Sequence, residues 1–85
     1  MDFKKLKLDD FRYESEITNT LESYIYVSKK SEDDVIEIVV DKRNKDYMFV
    51  QIFKKLMLVD SLYICIKDKT IEQFSELVLK AFVEA

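Results

Sequence analysis

The sequence predicts an α+β fold, in which an antiparallel β-sheet meander of four or five strands carries a C-terminal α-helix packed on one face. Short apolar runs alternate with charged turns, and within several runs every second residue is apolar. The last 15 residues instead repeat apolar side chains at every third or fourth position. With 85 residues, of which 48% are hydrophobic, the chain is expected to form a single domain over residues 1–85.

The strands are predicted from period-two alternation. Residues 11–18 alternate cleanly, and residues 21–28 do so again, with Tyr24 and Tyr26 on the face opposite Ile25 and Val27. Residues 35–41 are rich in β-branched side chains and too short for a typical helix, and residues 62–67 also form a predicted strand. Residues 1–10 fit either a short strand or a docked N-terminal arm, with three apolar positions available for burial: Phe3, Leu6 and Leu8.

Residues 46–60 allow two interpretations. A strand from Tyr47 through Phe53 places alternate apolar side chains on its two faces. A second helix capped by Asp46 places its polar side chains on one narrow stripe. A pair of strands within this segment would need a turn at Lys54–Lys55, which lacks turn chemistry. We favour the strand through Phe53 and keep the helix as the alternative.

The C-terminal helix is predicted to begin after Thr70. Thr70 and Gln73 fit a capping box, in which each side chain accepts a hydrogen bond from the other residue's free backbone N–H. The apolar positions that follow form one stripe at spacings of three and four: Ile71, Phe74, Leu77, Val78, Ala81 and Phe82.

The composition excludes most catalytic and cofactor motifs. Without glycine there is no phosphate-binding loop, and without histidine there is no Ser-His or Cys-His nucleophile pair. The lone thiol, Cys65, lies in an apolar run and is expected to be a buried core side chain. The paired carboxylates, such as Asp9–Asp10, match no known metal-ligand spacing and are read as turn residues. We therefore predict no catalytic residue, no cofactor and no metal site.

The location of the chain is predicted from what its apolar runs lack. No run approaches the length of a membrane-spanning helix, and the N-terminal basic residues are not followed by the apolar stretch of a signal peptide. The cytoplasm is therefore the expected compartment. Abundant Lys, Ile, Phe and Tyr with no Gly or Pro also suggests an AT-rich genome.

The sheet face opposite the helix is the first candidate site. A single helix of about 15 residues is about 22 Å long and covers only one face of a sheet. We expect the other face to display Tyr24, Tyr26, Val35, Glu37 and Val39 as a protein interface. Alternatively, the N-terminal arm or a helix at 47–60 covers that face. If it is uncovered, a twofold homodimer is its simplest occupant, and a different protein is the next.

The charged loops are the second candidate interface: Asp33, Asp34, Lys42, Arg43 and Lys45. In a meander, the turn at 42–46 and the corner at 67–69 are expected at the same end of the sheet. The net charge of −3 includes no basic stripe interleaved with stacking aromatics, so we expect no nucleic-acid partner.

These observations favour a small intracellular, non-enzymatic protein-binding module. Its small size, acidity and composition resemble those of phage- or mobile-element-type inhibitors that bind a host protein, such as anti-defence factors. The alternative is a homodimeric structural or regulatory domain that self-associates through its apolar sheet face. An enzyme or small-ligand site is the third hypothesis, and it would require a pocket that the sequence does not reveal.

Overall fold

The computed structural model describes residues 1–14 and 22–85, and it confirms the α+β fold. Five antiparallel strands form one sheet in the order β1-β2-β3-β4-β5, so every strand pairs with its neighbour in sequence. The strands are β1 (Phe11–Glu14), β2 (Ser23–Ser28), β3 (Val35–Val40), β4 (Tyr47–Lys54) and β5 (Met57–Cys65). The predicted end of the first strand at 15–18 and the first residue of the predicted strand at 21–28 lie outside the described residues.

Helix α1 (Ile71–Glu84) begins at the predicted capping box. The Gln73 N–H donates to Thr70 Oγ1 at 3.1 Å, and the Thr70 N–H donates to Gln73 Oε1 at 2.9 Å. Phe74 and Val78 are fully buried on the face of the helix that meets the sheet. The spacing of apolar residues therefore predicts most of the packed face of α1, but Leu77 of the predicted stripe is 39% exposed, while Ser75 is buried.

The hydrophobic core lies between α1 and one face of the sheet. Alternate residues of the two central strands point into it, and they are almost completely buried: Ile36, Ile38, Val40, Met48, Val50 and Ile52. Strand register brings these side chains together, since Ile38 pairs with Val50 and Ile36 with Ile52.

The N-terminal residues form a docked arm, one of the two predicted alternatives. Phe3, Leu6 and Leu8 are buried in the core cluster. The Tyr26 hydroxyl donates to the Phe3 carbonyl at 2.5 Å and accepts from the Leu6 N–H at 3.0 Å. Phe3 also meets the Phe74 ring edge-on at 5.8 Å, which places the arm on the same side of the sheet as α1.

Residues 46–60 contain two strands and a tight turn, so the helical alternative is wrong. Strand β4 extends to Lys54, and β5 starts at Met57, five residues before the predicted strand at Leu62. The turn residues Lys55 and Leu56 have φ of 53° and 65°, the left-handed region that hairpin turns of this length require. Neither residue is a glycine or asparagine, which is why the sequence did not signal this turn.

Candidate functional site

The predicted interface residues divide between the two faces of the sheet. Tyr24 and Tyr26 pair with Ile38 and Ile36, so they point towards the core, and Tyr26 is only 3% exposed. The expectation that both tyrosines lie on the open face is corrected by this register. Alternation shows which residues share a face within one strand, but not which face of the next strand they join.

The face of the sheet opposite α1, called the open face below, keeps the other three predicted residues. Its β2 members, Ser23, Ile25 and Val27, are buried, so the accessible part of this face lies on β3 to β5. Val35, Glu37 and Val39 are half-buried there, on the side away from α1 and the N-terminal arm. Their cross-strand partners extend this face across β4 and β5, and its further members are Tyr47, Phe49, Gln51, Phe53, Tyr63 and Cys65. Most of these side chains are apolar or aromatic, the composition of a contact surface rather than a solvated one.

Tyr63 connects the open face to the turn between β3 and β4. Its ring stacks on Tyr47 at 4.8 Å and lies 4.5 Å from Phe49. Its hydroxyl donates to Asp41 Oδ2 at 2.5 Å, while the Arg43 N–H donates to Oδ1 at 2.9 Å. The Tyr63 hydrogen bond, and then that of the Arg43 N–H, lower the pKa of Asp41. The same hydrogen bond raises the pKa of Tyr63.

A shallow hollow of about 370 Å³ lies on the open face beside this cluster. Its lining includes Glu37, Val39, Phe49 and Gln51, with Arg43 on the rim. Glu37 stands opposite Ile25 on β2 and Gln51 on β4, and burial raises the pKa of its carboxyl. Within residues 1–14 and 22–85, no cation lies within ion-pair distance of Glu37.

The hairpin between β4 and β5 carries a second apolar surface, called the hairpin tip below. Leu56, Met57, Leu58 and Val59 are 71%, 69%, 54% and 46% exposed. Sequence reasoning missed this surface because it placed residues 54–60 outside any hairpin. Four consecutive apolar residues after Lys54–Lys55 were the available signal.

The outer edge of β5 is partly occupied by groups of the chain itself. The Ile66 N–H donates to the Asp46 carbonyl, so backbone groups of Ser61, Tyr63 and Cys65 point away from β4. Asp60 Oδ1 accepts from the Ser61 N–H at 2.8 Å, and Lys69 Nζ donates to the Cys65 carbonyl at 2.6 Å. The register with β4 also skips Val59, which marks a β-bulge.

The charged loops lie at opposite ends of the sheet. Asp33 and Asp34 precede β3 and hold the β4–β5 turn, since the Asp33 carbonyl accepts from the Leu56 N–H and Asp34 Oδ1 from the Lys55 N–H. The remaining predicted loop residues are Lys42, Arg43 and Lys45, in the turn after β3. The structure therefore does not combine these five residues in one site.

The positively charged turn and corner meet as predicted. The Ile66 N–H donates to the Asp46 carbonyl at 2.7 Å, which brings the 42–46 turn beside the 67–69 corner. Asp41, Asp46 and Asp68 interleave with the five cations of this region, so the local excess of positive charge is small. This end of the sheet has the character of a solvated surface.

Cys65 is only partly buried and lies on the open face, not in the core as its apolar neighbours suggest. No group of three or more Cys, Asp or Glu side chains in the described part of the chain could hold a metal ion. Among the described residues, no helix is both long enough and apolar enough to cross a membrane.

Comparison with known proteins finds no similarity: no family model, no curated protein and no solved structure matches the chain.

Proposed function

We propose that this chain is a non-enzymatic protein-binding module of the cytoplasm, and that its hairpin tip is the surface that binds a partner protein. The observation that carries the proposal is the exposure of four consecutive apolar side chains, Leu56 to Val59. An apolar surface of this kind usually marks an interaction site, because leaving it in water costs free energy that a partner can recover.

The hairpin tip is held in place rather than loosely attached. Asp33 and Asp34 bind the backbone N–H groups of Leu56 and Lys55. Lys54 adds a second support, since its ammonium donates to the Ala85 carbonyl at 2.7 Å and lies 4.6 Å above the Phe82 ring. A tip that is already ordered loses little conformational entropy on binding, which favours recognition of a partner.

The surface chemistry indicates the kind of partner. The tip offers flexible Met57 and branched aliphatic neighbours, so we expect an apolar groove on the partner. Lys55 is exposed and directly precedes the tip, which favours an acidic rim around that groove. Inhibition of a host protein by a phage-type factor is the narrower form of this proposal, and it rests on size and composition alone.

Site-specific photocrosslinking in the cells that make the chain tests the proposal. A benzophenone amino acid at Leu58 should give one discrete crosslinked protein, and the same group at Glu76, exposed on α1, should not. Excess untagged chain should compete for the crosslink, whereas a Met57→Ser, Leu58→Ser chain should not. Equal crosslinking from both positions, or competition by the serine variant, would reject the tip as the binding surface.

Self-association is a second candidate function, and a different observation favours it. The open face is aromatic and half-buried, and α1 and the N-terminal arm both pack on the other side of the sheet. Wherever the chain is present, a second copy of it is also present and can occupy this face.

A further inference from the structure

We propose that two copies of the chain pack open face against open face around a twofold axis, so that Glu37 of each copy pairs with Arg43 of the other. This inference deepens the self-association candidate and does not depend on the partner proposed for the hairpin tip. It identifies the occupant of the open face and the charged pair that fixes its orientation.

The first step of the argument is the charge of Glu37. This carboxyl stands among the apolar and aromatic side chains of the open face, and no described cation pairs with it. Any occupant that covers the face removes more water from Glu37. An unpaired carboxylate would then oppose binding at neutral pH, so an occupant that brings a cation to this point is favoured over one that does not.

Arg43 is the cation that a second copy brings. Its side chain is 87% exposed, and its Nε lies 3.5 Å from Asp41 Oδ1, the outer limit of an ion pair. The Arg43 backbone N–H already binds the same carboxylate oxygen at 2.9 Å. The guanidinium can therefore leave Asp41 without leaving that oxygen unsatisfied, since the backbone hydrogen bond remains.

The positions of the two residues suit a twofold axis. Glu37 and Arg43 line the same hollow, and Val40 is midway between them along the chain. A twofold axis that lies between the two sheets, parallel to them and perpendicular to β3 at the level of Val40, therefore places Glu37 of each copy opposite Arg43 of the other. Sheets that pack face to face lie about 10 Å apart, a gap that an extended arginine and a glutamate side chain can bridge together.

The size of the open face predicts a weak pair. The accessible part of the face spans β3 to β5, because the β2 residues are already buried. Three strands spaced about 4.8 Å apart and about six residues long give roughly 14 by 20 Å, or about 300 Å² per copy. Two such faces fall below the lower limit of about 1,000 Å² for a stable interface, so we expect a transient dimer that forms at about submillimolar to millimolar concentration.

Charge exchange tests the pair. In sedimentation equilibrium over a wide concentration range, the wild-type chain should approach twice its mass of 10.2 kDa. Glu37→Arg or Arg43→Glu alone should weaken the dimer by at least about thirtyfold. The double variant should dimerise again, and so should an equimolar mixture of the two single variants, because each supplies the charge that the other lacks.

A matched control and three outcomes make the test decisive. Lys45→Glu changes an exposed charge in the same turn and should leave the dimer unchanged. A wild-type chain that stays monomeric at every concentration would overturn the inference, as would single variants that dimerise as well as wild type. A dimer lost in Met57→Ser, Leu58→Ser but kept in both charge variants would assign self-association to the hairpin tip instead.

Discussion

The hydroxyl of Tyr63 donates a hydrogen bond to Asp41 Oδ2 at 2.5 Å, and this bond ties the edge strand β5 to the turn that follows β3. The two residues are 22 positions apart, and Asp41 is a buried carboxylate. The bond satisfies one oxygen of this buried carboxylate, and it fixes the ring on which Tyr47 and Phe49 pack.

Tyr63→Phe should destabilise the chain at neutral pH and remove part of its pH dependence. A carboxyl whose pKa is lowered by folding adds stability above its unfolded pKa of about 3.9, and that stability is lost as the pH falls through the lower folded value. The gap in melting temperature between wild type and variant should therefore narrow in acid. Thermal unfolding from neutral to acidic pH measures it.

The control for this prediction is Tyr47→Phe. Tyr47 stacks on the same ring, but its hydroxyl has no hydrogen bond to the described residues. A constant gap for Tyr63→Phe at every pH would contradict the proposed role of the hydroxyl, because loss of ring packing alone does not depend on the charge of Asp41.

Glu37→Gln should stabilise the monomer at neutral pH. Burial raises the folded pKa of Glu37, so the folded chain binds this proton more tightly than the unfolded chain does. Stability consequently falls as the pH rises from about 4.3 through the folded value. An amide does not ionise, so the variant should melt higher than wild type at neutral pH and at nearly the same temperature in strong acid.

This measurement is made at low concentration, where the proposed dimer is dissociated. Glu76→Gln, on the exposed side of α1, should show no such pH-dependent gain. A wild-type chain as stable at neutral pH as Glu37→Gln would mean that ionising this carboxyl carries no cost in the monomer.

Tyr26→Phe should cost about 1–3 kcal/mol of unfolding free energy, because the buried Leu6 N–H and Phe3 carbonyl lose their partner. Denaturant unfolding measures the loss, and hydrogen exchange at the Leu6 amide should speed up. Tyr13→Phe is the matched control, since its ring lies 5.5 Å from Tyr26 and its substitution keeps both hydrogen bonds. An unchanged Leu6 exchange rate would show that Tyr26 does not hold the N-terminal arm.

Lys55→Asn together with Leu56→Gly should stabilise the chain by about 1–2 kcal/mol. Both native residues have left-handed backbone conformations, in which a Cβ atom costs about 1–2 kcal/mol of free energy per residue. Asn and Gly adopt this conformation at lower cost. Denaturant unfolding measures the gain. Leu56→Ala, which keeps a Cβ at φ 65°, should not show it; an equal gain from alanine would attribute the effect to reduced apolar exposure.

Local pattern predicted the parts of this fold that depend on local contacts. The capping box of Thr70 and the apolar stripe of α1 act within one helix, and alternation within β3 places Glu37 and Val39 on one side. The face of Tyr26 depends instead on its pairing with Ile36, a contact between strands. Alternation within one strand does not determine its register with the next strand. The sequence therefore predicts the wrong face of the sheet for both Tyr24 and Tyr26.

The hairpin tip escaped prediction for a related reason. Its turn lacks glycine, and the groups that stabilise it come from a different loop, through the Asp33 carbonyl and the Asp34 side chain. The sequence predicts Asp34 to belong to a charged binding loop, whereas in the structure its side chain supports the turn. Support from a distant segment cannot be seen in the four residues of the turn itself.

The internal hydrogen bonds along the outer side of β5 limit how large an assembly can grow there. A strand whose Ser61 N–H and Cys65 carbonyl are already occupied is a poor template for another strand, so addition of sheet to sheet at this border is disfavoured. Packing face to face, by contrast, buries the open face of each copy, so no further copy can add there. Copies of this chain should therefore form assemblies of finite size instead of fibres that extend from this edge.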